Sequence, residues 1–358
     1  MEKISRMTLE EIAKQIGISR TTIYKVMGNK GNVSEETRRI VEDALERYHY
    51  VQNRNARNLA MNRHYTIAYV GFQSKSANYF SGEVRRGIQR AVKEFGDDGL
   101  MMLVSEFDAE NPQEQKQAVE RMLERGVRSF VLACSHREVA GEILRELEER
   151  KCRIVLLSRD YDKNADAYYV GVDYYQSGRL AAELMGKMLS GGGQVFVPVT
   201  QEYKTNHDIL ARLRGFQDKI SEYPQVSLLP AVYGLMEEED IRKQVMDWIG
   251  SGETVLAAGS DCVKGIFDLT YRLDVVAGVL RRQGRTDIRL IGFDLFEEIR
   301  EYVEDSSIDA VIYQDLSWQA YFAVKVLFEE MCYGRRLEER KRYSKLEVIM
   351  RENLHYFM

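Results

Sequence analysis

Arg20, Thr21, Tyr24 and Lys25 fall on one side of a short stretch, Arg-Thr-Thr-Ile-Tyr-Lys-Val-Met, and Ile23, Val26 and Met27 fall on the other. Cationic and hydroxyl groups gathered in this way can donate hydrogen bonds to phosphate oxygens and base edges. A second set of polar residues lies far down the chain. Arg159, Asp160, Asp261, Asp294 and Gln314 each follow an apolar run. Ionised carboxylates accept several hydrogen bonds, which suits a ligand with vicinal hydroxyls. Asp261 and Asp294 also suit a plainer role, as helix N-caps. Ser135 and His136 follow another run, and a lone loop histidine can equally be solvated.

The first set needs a helix to carry it. Thr8 and Glu11 have the spacing of a capping box, and Leu9, Ile12, Ala13 and Ile16 recur at helical spacing. Gly17 breaks that helix, and Ser19 can cap the next one. The pattern predicts a helix-turn-helix, although alone it also fits an ordinary helical hairpin. A loop follows at 28–33. Ser34 then caps a third helix, with Ile40, Val41, Ala44, Leu45 and Tyr48 inward. This all-α head ends near residue 50. Residues 51–63 are too polar to hold a core and read as a linker, with Ala56, Arg57 and Leu59 hinting at more.

The second set needs strands. From Tyr65 onward, apolar runs alternate with helical patterns. The runs are Ile67–Phe72, Leu100–Val104, Phe130–Cys134, Ile154–Leu157, Val195–Val199, Val255–Ala258, Leu290–Phe293 and Ala310–Ile312, with a last strand near Leu346–Met350. Helical patterns begin near Phe80, Pro112, Glu138, Tyr175, Asp208, Glu238, Asp261 and Ser317. Continuous apolar strands separated by helices predict parallel sheets covered on both faces. There are too many for one compact sheet, so the body is predicted to be α/β with two Rossmann-like subdomains. Ligands of such sheets sit at the carboxyl ends of the strands.

The charge is divided along the chain. Net charge is −5 over 358 residues, but residues 1–63 carry +4 and the remainder −9. A basic head on an acidic body fits a nucleic-acid-binding module joined to something else. The four cysteines, Cys134, Cys152, Cys262 and Cys332, are far apart in or beside apolar sequence. They read as buried thiols of a reducing cytoplasm, without disulfides or a zinc site. No apolar run is long enough to span a membrane, and no signal peptide is visible. The sequence shows no phosphate-cradling glycine motif, metal-ligand spacing or nucleophile elbow. No cofactor is expected, and an enzyme reading has no visible machinery.

The segment Met-Thr-Leu-Glu-Glu-Ile-Ala…Gly-Ile-Ser…Thr-Ile-Tyr-Lys-Val-Met…Val-Ser-Glu-Glu-Thr-Arg, at 7–38, resembles the signature of the lactose-repressor (LacI/GalR) family of bacterial transcription regulators. Tyr50 to Leu59 resembles that family's hinge. Asn78 and Phe80 ahead of Arg86-Gly87-Ile88, then Val172-Asp173, Arg212 to Phe216, Ser260-Asp261, Ile291 to Asp294 and Gln314-Asp315 resemble later landmarks. There are departures. Gln52 stands where the hinge usually has proline, Lys25 replaces a usual arginine, Tyr24 a usual serine and Gly28 a frequent asparagine. The stretch between Asp261 and Asp294 is longer than usual.

The resemblance implies a helix-turn-helix head at 1–50, a hinge at 51–63 and an effector-binding and dimerisation body at 64–358. The body is implied to have two subdomains of periplasmic-binding-protein type I. The first would take about 64–164 and 315–341, and the second about 165–314 and 342–358, with three crossings. The implied partners are double-stranded operator DNA, a small-molecule effector and a second copy in a homodimer, with no membrane. Arg20, Thr21 and Lys25 would reach base edges beside Tyr24, and Ser19 and Thr22 would reach phosphates. Asn53, Ala56, Arg57 and Leu59 would form the hinge contacts, with Leu59 as a minor-groove wedge. Arg212, Asp261 and Asp294 would bind a sugar or sugar derivative, with Asn78, Arg159, Asp160 and Gln314 around it and Phe80 or Trp318 against a ring face. Arg212 could also bridge to an acid of the second subdomain with no ligand role. A nucleobase effector, or a constitutive DNA-binding dimer with no effector, remains open.

Overall fold

The computed structural model describes residues 9–27, 33–48, 64–73, 78–109, 111–161, 166–201, 204, 206–235, 237–255 and 263–357. The chain divides into two compact units, Met1–Arg63 and His64–Met358. In the head, α1 (Leu9–Ile16), α2 (Arg20–Met27) and α3 (Glu35–Arg47) enclose a small core of Leu9, Ala13, Ile23, Val26 and Val41. The Ser34 side chain accepts from the Thr37 amide and caps α3. Tyr48 ties α3 to α1, its hydroxyl donating to Gln15 at 2.6 Å. Ile40, expected inward, is exposed. Val41 and Ala44 suffice to face so small a core. Thr8 of the expected capping box lies outside the described residues.

The body holds two six-stranded sheets. The first uses β1 (Tyr65–Gln73), β2 (Leu100–Asp108), β3 (Ser129–Leu132), β4 (Arg153–Leu157) and β5 (Tyr168–Gly171). Helices α4 (Asn78–Phe95), α5 (Pro112–Glu124) and α6 (Arg137–Glu149) connect them. After α7 (Tyr174–Met188), the second sheet builds from β6 (Gly193–Phe196), a short β7 (Pro198–Thr200), α8 (His207–Ile220), β8 (Val226–Leu228), β9 (Val232–Gly234), α9 (Glu238–Val255) and β10 (Val263–Phe267). It continues through α10 (Leu273–Arg282), β11 (Ile288–Phe293), α11 (Arg300–Glu304) and β12 (Ala310–Tyr313). Then α12 (Leu316–Tyr333) and β13 (Lys341–Tyr343) return to the first sheet, and β14 (Glu347–Ile349) closes the second. The orders are β13-β5-β4-β3-β1-β2 and β14-β12-β11-β10-β6-β8, with β7 and β9 as a separate pair. Every described pairing is parallel except β12 with β14.

Strand alternation explains why both faces of each sheet are covered. Ala68, Val70, Phe130, Leu132, Ile154 and Leu156 point toward α5 and α6, and their neighbours Ile67, Tyr69, Val131 and Val155 point toward α4 and α12. In the second sheet Ile266, Leu290 and Val311 face α9 and α10, while Phe267, Ile291 and Ile312 face α7 and α8.

Several expectations need correction. Of the run 255–258, Val255 ends α9 and residues 256–258 lie outside the described residues; the next described strand is β10 at Val263–Phe267. Ile241, Val245, Trp248 and Ile249 are buried at helical spacing and carry the helix on. The strand itself is disguised by Lys264 and Gly265. The helix expected near Asp261 begins instead at Leu273. The run 195–199 is split, because Pro198 opens β7 in a different sheet, a position where its missing N–H is tolerated. The crossings also fall later than 164 and 341: both Tyr168–Gly171 and Lys341–Tyr343 belong to the first sheet.

Candidate functional site

Arg212 is the centre of the arrangement. It lies on α8 and is completely buried. Two glycines allow this position. A Cβ at Gly178 would stand 1.9 Å from the Arg212 carbonyl oxygen, and one at Gly215 would stand 2.0 Å from that of Tyr175, so α7 and α8 meet backbone to backbone. Arg212 Nε donates to Ser177 Oγ at 3.1 Å, Nη1 to the Tyr271 hydroxyl at 3.1 Å, and Nη2 to Gln314 Oε1 at 2.7 Å. Its guanidinium lies 3.7 Å from the Phe293 ring centre and 4.9 Å from that of Tyr174. Gln314 then donates from Nε2 to Asp294 Oδ1 at 2.5 Å. Burial raises the Asp294 carboxyl above its ordinary range, and Arg212 and Gln314 partly oppose that.

The carboxyl end of β10 carries Asp268, not Asp261. Asp261 precedes the strand and lies outside the described residues. Asp268 accepts from the amide and hydroxyl of Thr270, at 3.1 and 2.7 Å. Burial pushes its carboxyl up to about 7. Asp268, Arg212, Leu269, Tyr271 and Phe293 line a cavity of about 10 Å³. That is room for one water at most.

The other expected site residues belong to the first half. Arg159 follows β4; its Nη1 donates to the Ser135 carbonyl at 2.6 Å, and its Nε lies 3.5 Å from Asp208 Oδ2 at the start of α8. Phe80 stacks on Phe72 with ring centres 4.7 Å apart, and Trp318 stacks on Phe322 at 4.9 Å. Asn78 opens α4. Asp160 turns elsewhere: it is paired with Arg340 at 2.7 Å and Lys341 at 2.7 Å. Burial would raise its carboxyl, but those two cations hold it below its ordinary range. His136 stays beside Ser135, Nδ1 to Oγ 2.9 Å.

A second network joins the cluster to the three chain crossings. The Gln314 carbonyl accepts from Gln319 Nε2 at 2.8 Å and from Ser344 Oγ at 2.9 Å. The Ser344 amide donates to the Gly171 carbonyl at 2.7 Å. Ser158 Oγ donates to Gln319 Oε1 at 3.2 Å, and the Ser158 carbonyl accepts from Tyr169 and Tyr174. Ser158, Tyr271, Asp294 and Asp315, non-glycine residues with positive φ, ring this region, where strained backbone tends to gather at functional sites.

Sequence reading placed Arg212, Asp294, Gln314 and Arg159 here. It missed Ser177, Asp208, Asp268, Tyr271 and the Ser158–Gln319–Ser344 group. Ser158 directly precedes Arg159 after an apolar run, so the rule that found one could have found the other. Asp268 had no such signal.

In the head, Ser19, just before α2, and Arg20, Thr21 and Lys25 on it are exposed, and Thr22 and Tyr24 are half-buried. Ser19 Oγ accepts from the Thr22 amide at 3.1 Å, as an N-cap does. Arg20 lies 3.5 Å from Glu10. The hinge residues Asn53, Ala56, Arg57 and Leu59 lie outside the described residues. No helix among the described residues is long and apolar enough to cross a membrane.

Comparison with known proteins agrees with both units. The periplasmic binding protein domain matches residues 67–335, and the bacterial regulatory proteins of the lacI family match residues 8–53. Catabolite control protein A of Staphylococcus aureus is 24% identical over 224 residues, which are 60% of this chain and 62% of that protein. The maltose regulon regulatory protein MalI of Vibrio furnissii is 32% identical over 92 residues, 26% of this chain and 66% of that protein. The match thus spans less than two thirds of either regulator. The arabinose binding protein AraP of Geobacillus stearothermophilus has the same fold, with a TM-score of 0.69 at 18% identity over 83% of this chain and all of that one. The chain belongs to the periplasmic binding protein domain family, and its residues 8–53 match the helix-turn-helix of the lacI family of bacterial regulatory proteins.

Proposed function

We propose that this protein is a sequence-specific DNA-binding transcription regulator, a repressor whose operator affinity is set by a sugar or sugar derivative bound between the two halves of its body. The observation that carries this reading is the pairing on one chain of an α2 with an exposed Ser19, Arg20, Thr21 and Lys25 face and a body of sugar-binding-protein fold. The Arg212–Gln314–Asp294 chain supports the ligand side: it offers a cation, an amide and a carboxylate at the carboxyl ends of the second sheet. The relative MalI, named for a maltose regulon, supports the sugar class. The protein acts as a cytoplasmic homodimer that brings two heads to a pseudo-palindromic site, and it has no catalytic role.

Selection of bound fragments from genomic DNA, followed by titration with sugars and nucleosides, tests the reading. The expected result is one enriched inverted repeat whose retention by the protein changes with a sugar. A thermal shift only with nucleosides would overturn the effector class. No enriched sequence would overturn the regulator itself.

A further inference from the structure

Arg159 and Asp208 belong to opposite halves of the body. Arg159 leaves β4 of the first sheet, and Asp208 sits in the first turn of α8 against the second. Both are held in place before they meet. The Ser135 carbonyl fixes the Arg159 guanidinium from its own half at 2.6 Å, and the Asn206 side chain caps α8 by accepting from the Asp208 and Ile209 amides. Their charged ends then stand 3.5 Å apart across the cleft, with 28% and 17% of their side chains exposed to solvent. A second contact also joins the halves: Tyr79 of α4 lies 6.0 Å from Phe296, which follows β11.

We infer that the Arg159–Asp208 ion pair is a latch that holds the two halves closed before any effector arrives. Both charges are already largely removed from water, and each is the other's cross-cleft partner. Opening the cleft breaks their attraction in a water-poor contact, a loss we take to exceed the hydration each charge regains, so the pair biases the equilibrium toward closure. An effector entering between the halves competes with this bond, and its apparent affinity falls by the fraction of molecules that are closed. The inference concerns the ligand-free protein, so it stands or falls separately from the sugar reading.

Hydrogen exchange of the full-length, ligand-free protein tests it. The amides to follow are those around Ser135, Leu269 to Tyr271 and Asp294 to Phe296, where opening exposes backbone. Asp208→Asn keeps the shape and removes the charge, and exchange in these segments should rise about tenfold, as expected when a charged hydrogen-bonding partner is lost. Arg159→Gln should give the same rise from the other side. The double variant should add nothing further, because the interaction is already gone. Asp208→Glu should keep exchange near the wild-type rate. Amides of β3 and β11 serve as the control for global unfolding. If Asp208→Asn unfolds, Arg159→Gln carries the test alone. Unchanged cleft exchange in Arg159→Gln, or fully additive effects in the double variant, would overturn the latch.

Discussion

Gln314 does two jobs with one side chain and a third with its backbone. Its amide oxygen accepts a hydrogen bond from Arg212, and its amide nitrogen donates one to Asp294. Replacing it with leucine leaves both charged groups buried with a partner missing, which should cost about 2–4 kcal/mol in urea unfolding. A loss below 0.5 kcal/mol, the scale of surface substitutions, would mean that water takes over the bridge. Asp268 makes a different prediction. Its carboxyl is raised to about 7 when folded, well above the ordinary 3.8. The folded state therefore holds a proton that the unfolded chain releases. Stability from this group is fully present below about pH 4 and is lost as pH rises to about 7, at up to roughly 1.4 kcal/mol per pH unit. Asp268→Asn should flatten that part of the stability–pH curve. Burial also raises Asp208 and Asp294 with the same sign, so the slope should shrink without vanishing.

At the scale of elements, α7 and α8 decide whether the site exists. Their contact at Gly178 and Gly215 leaves no space for a side chain, because the atoms in the way are backbone. Gly178→Ala should cost about 1–3 kcal/mol or more, as overpacking does, and should draw Ser177 away from Arg212. Thermal melting and the loss of effector response would report both effects together. The elements most legible in the sequence were those with a single clean period. Helices α5, α6, α7 and α8 begin within a residue or so of their expected starts. Strands β1, β4, β11 and β12 are apolar runs buried on both faces, while β2, at the sheet edge, is apolar but leaves Met101 and Val104 exposed. Illegible strands were short or mixed. Lys341–Tyr343 sits at a sheet edge and needs no apolar side chains, and β8 and β9 have three residues each. The β10 strand buries Lys264, with its ammonium 5.3 Å from the Trp248 ring centre, a solution that no hydropathy pattern announces.

The whole molecule separates charge along its length, +4 in residues 1–63 and −9 beyond. Operator affinity should therefore fall steeply with salt, by about a thousandfold between about 50 and about 200 mM if several phosphates are contacted per dimer. Lys25→Ala should cost about 1–3 kcal/mol on the operator and much less on random duplex, as measured by anisotropy titration. Equal losses on both would assign Lys25 to phosphate alone.

Three short stretches of chain join the two halves, and hydrogen bonds at Gly171, Gln314 and Ser344 lash them side by side. Mechanically they are leaf springs clamped at a common point. Springs so clamped bend together about one line and resist shear, because sliding would have to stretch the Ser344–Gly171 and Ser344–Gln314 bonds at once. The halves are thereby left with a single easy rotation. Gln314 lies on that line, so a change at Arg212 of a few tenths of an ångström acts at the pivot and is magnified at the far rim. A ligand in this cleft sets an angle, and any surface that spans both halves reads that angle as a displacement.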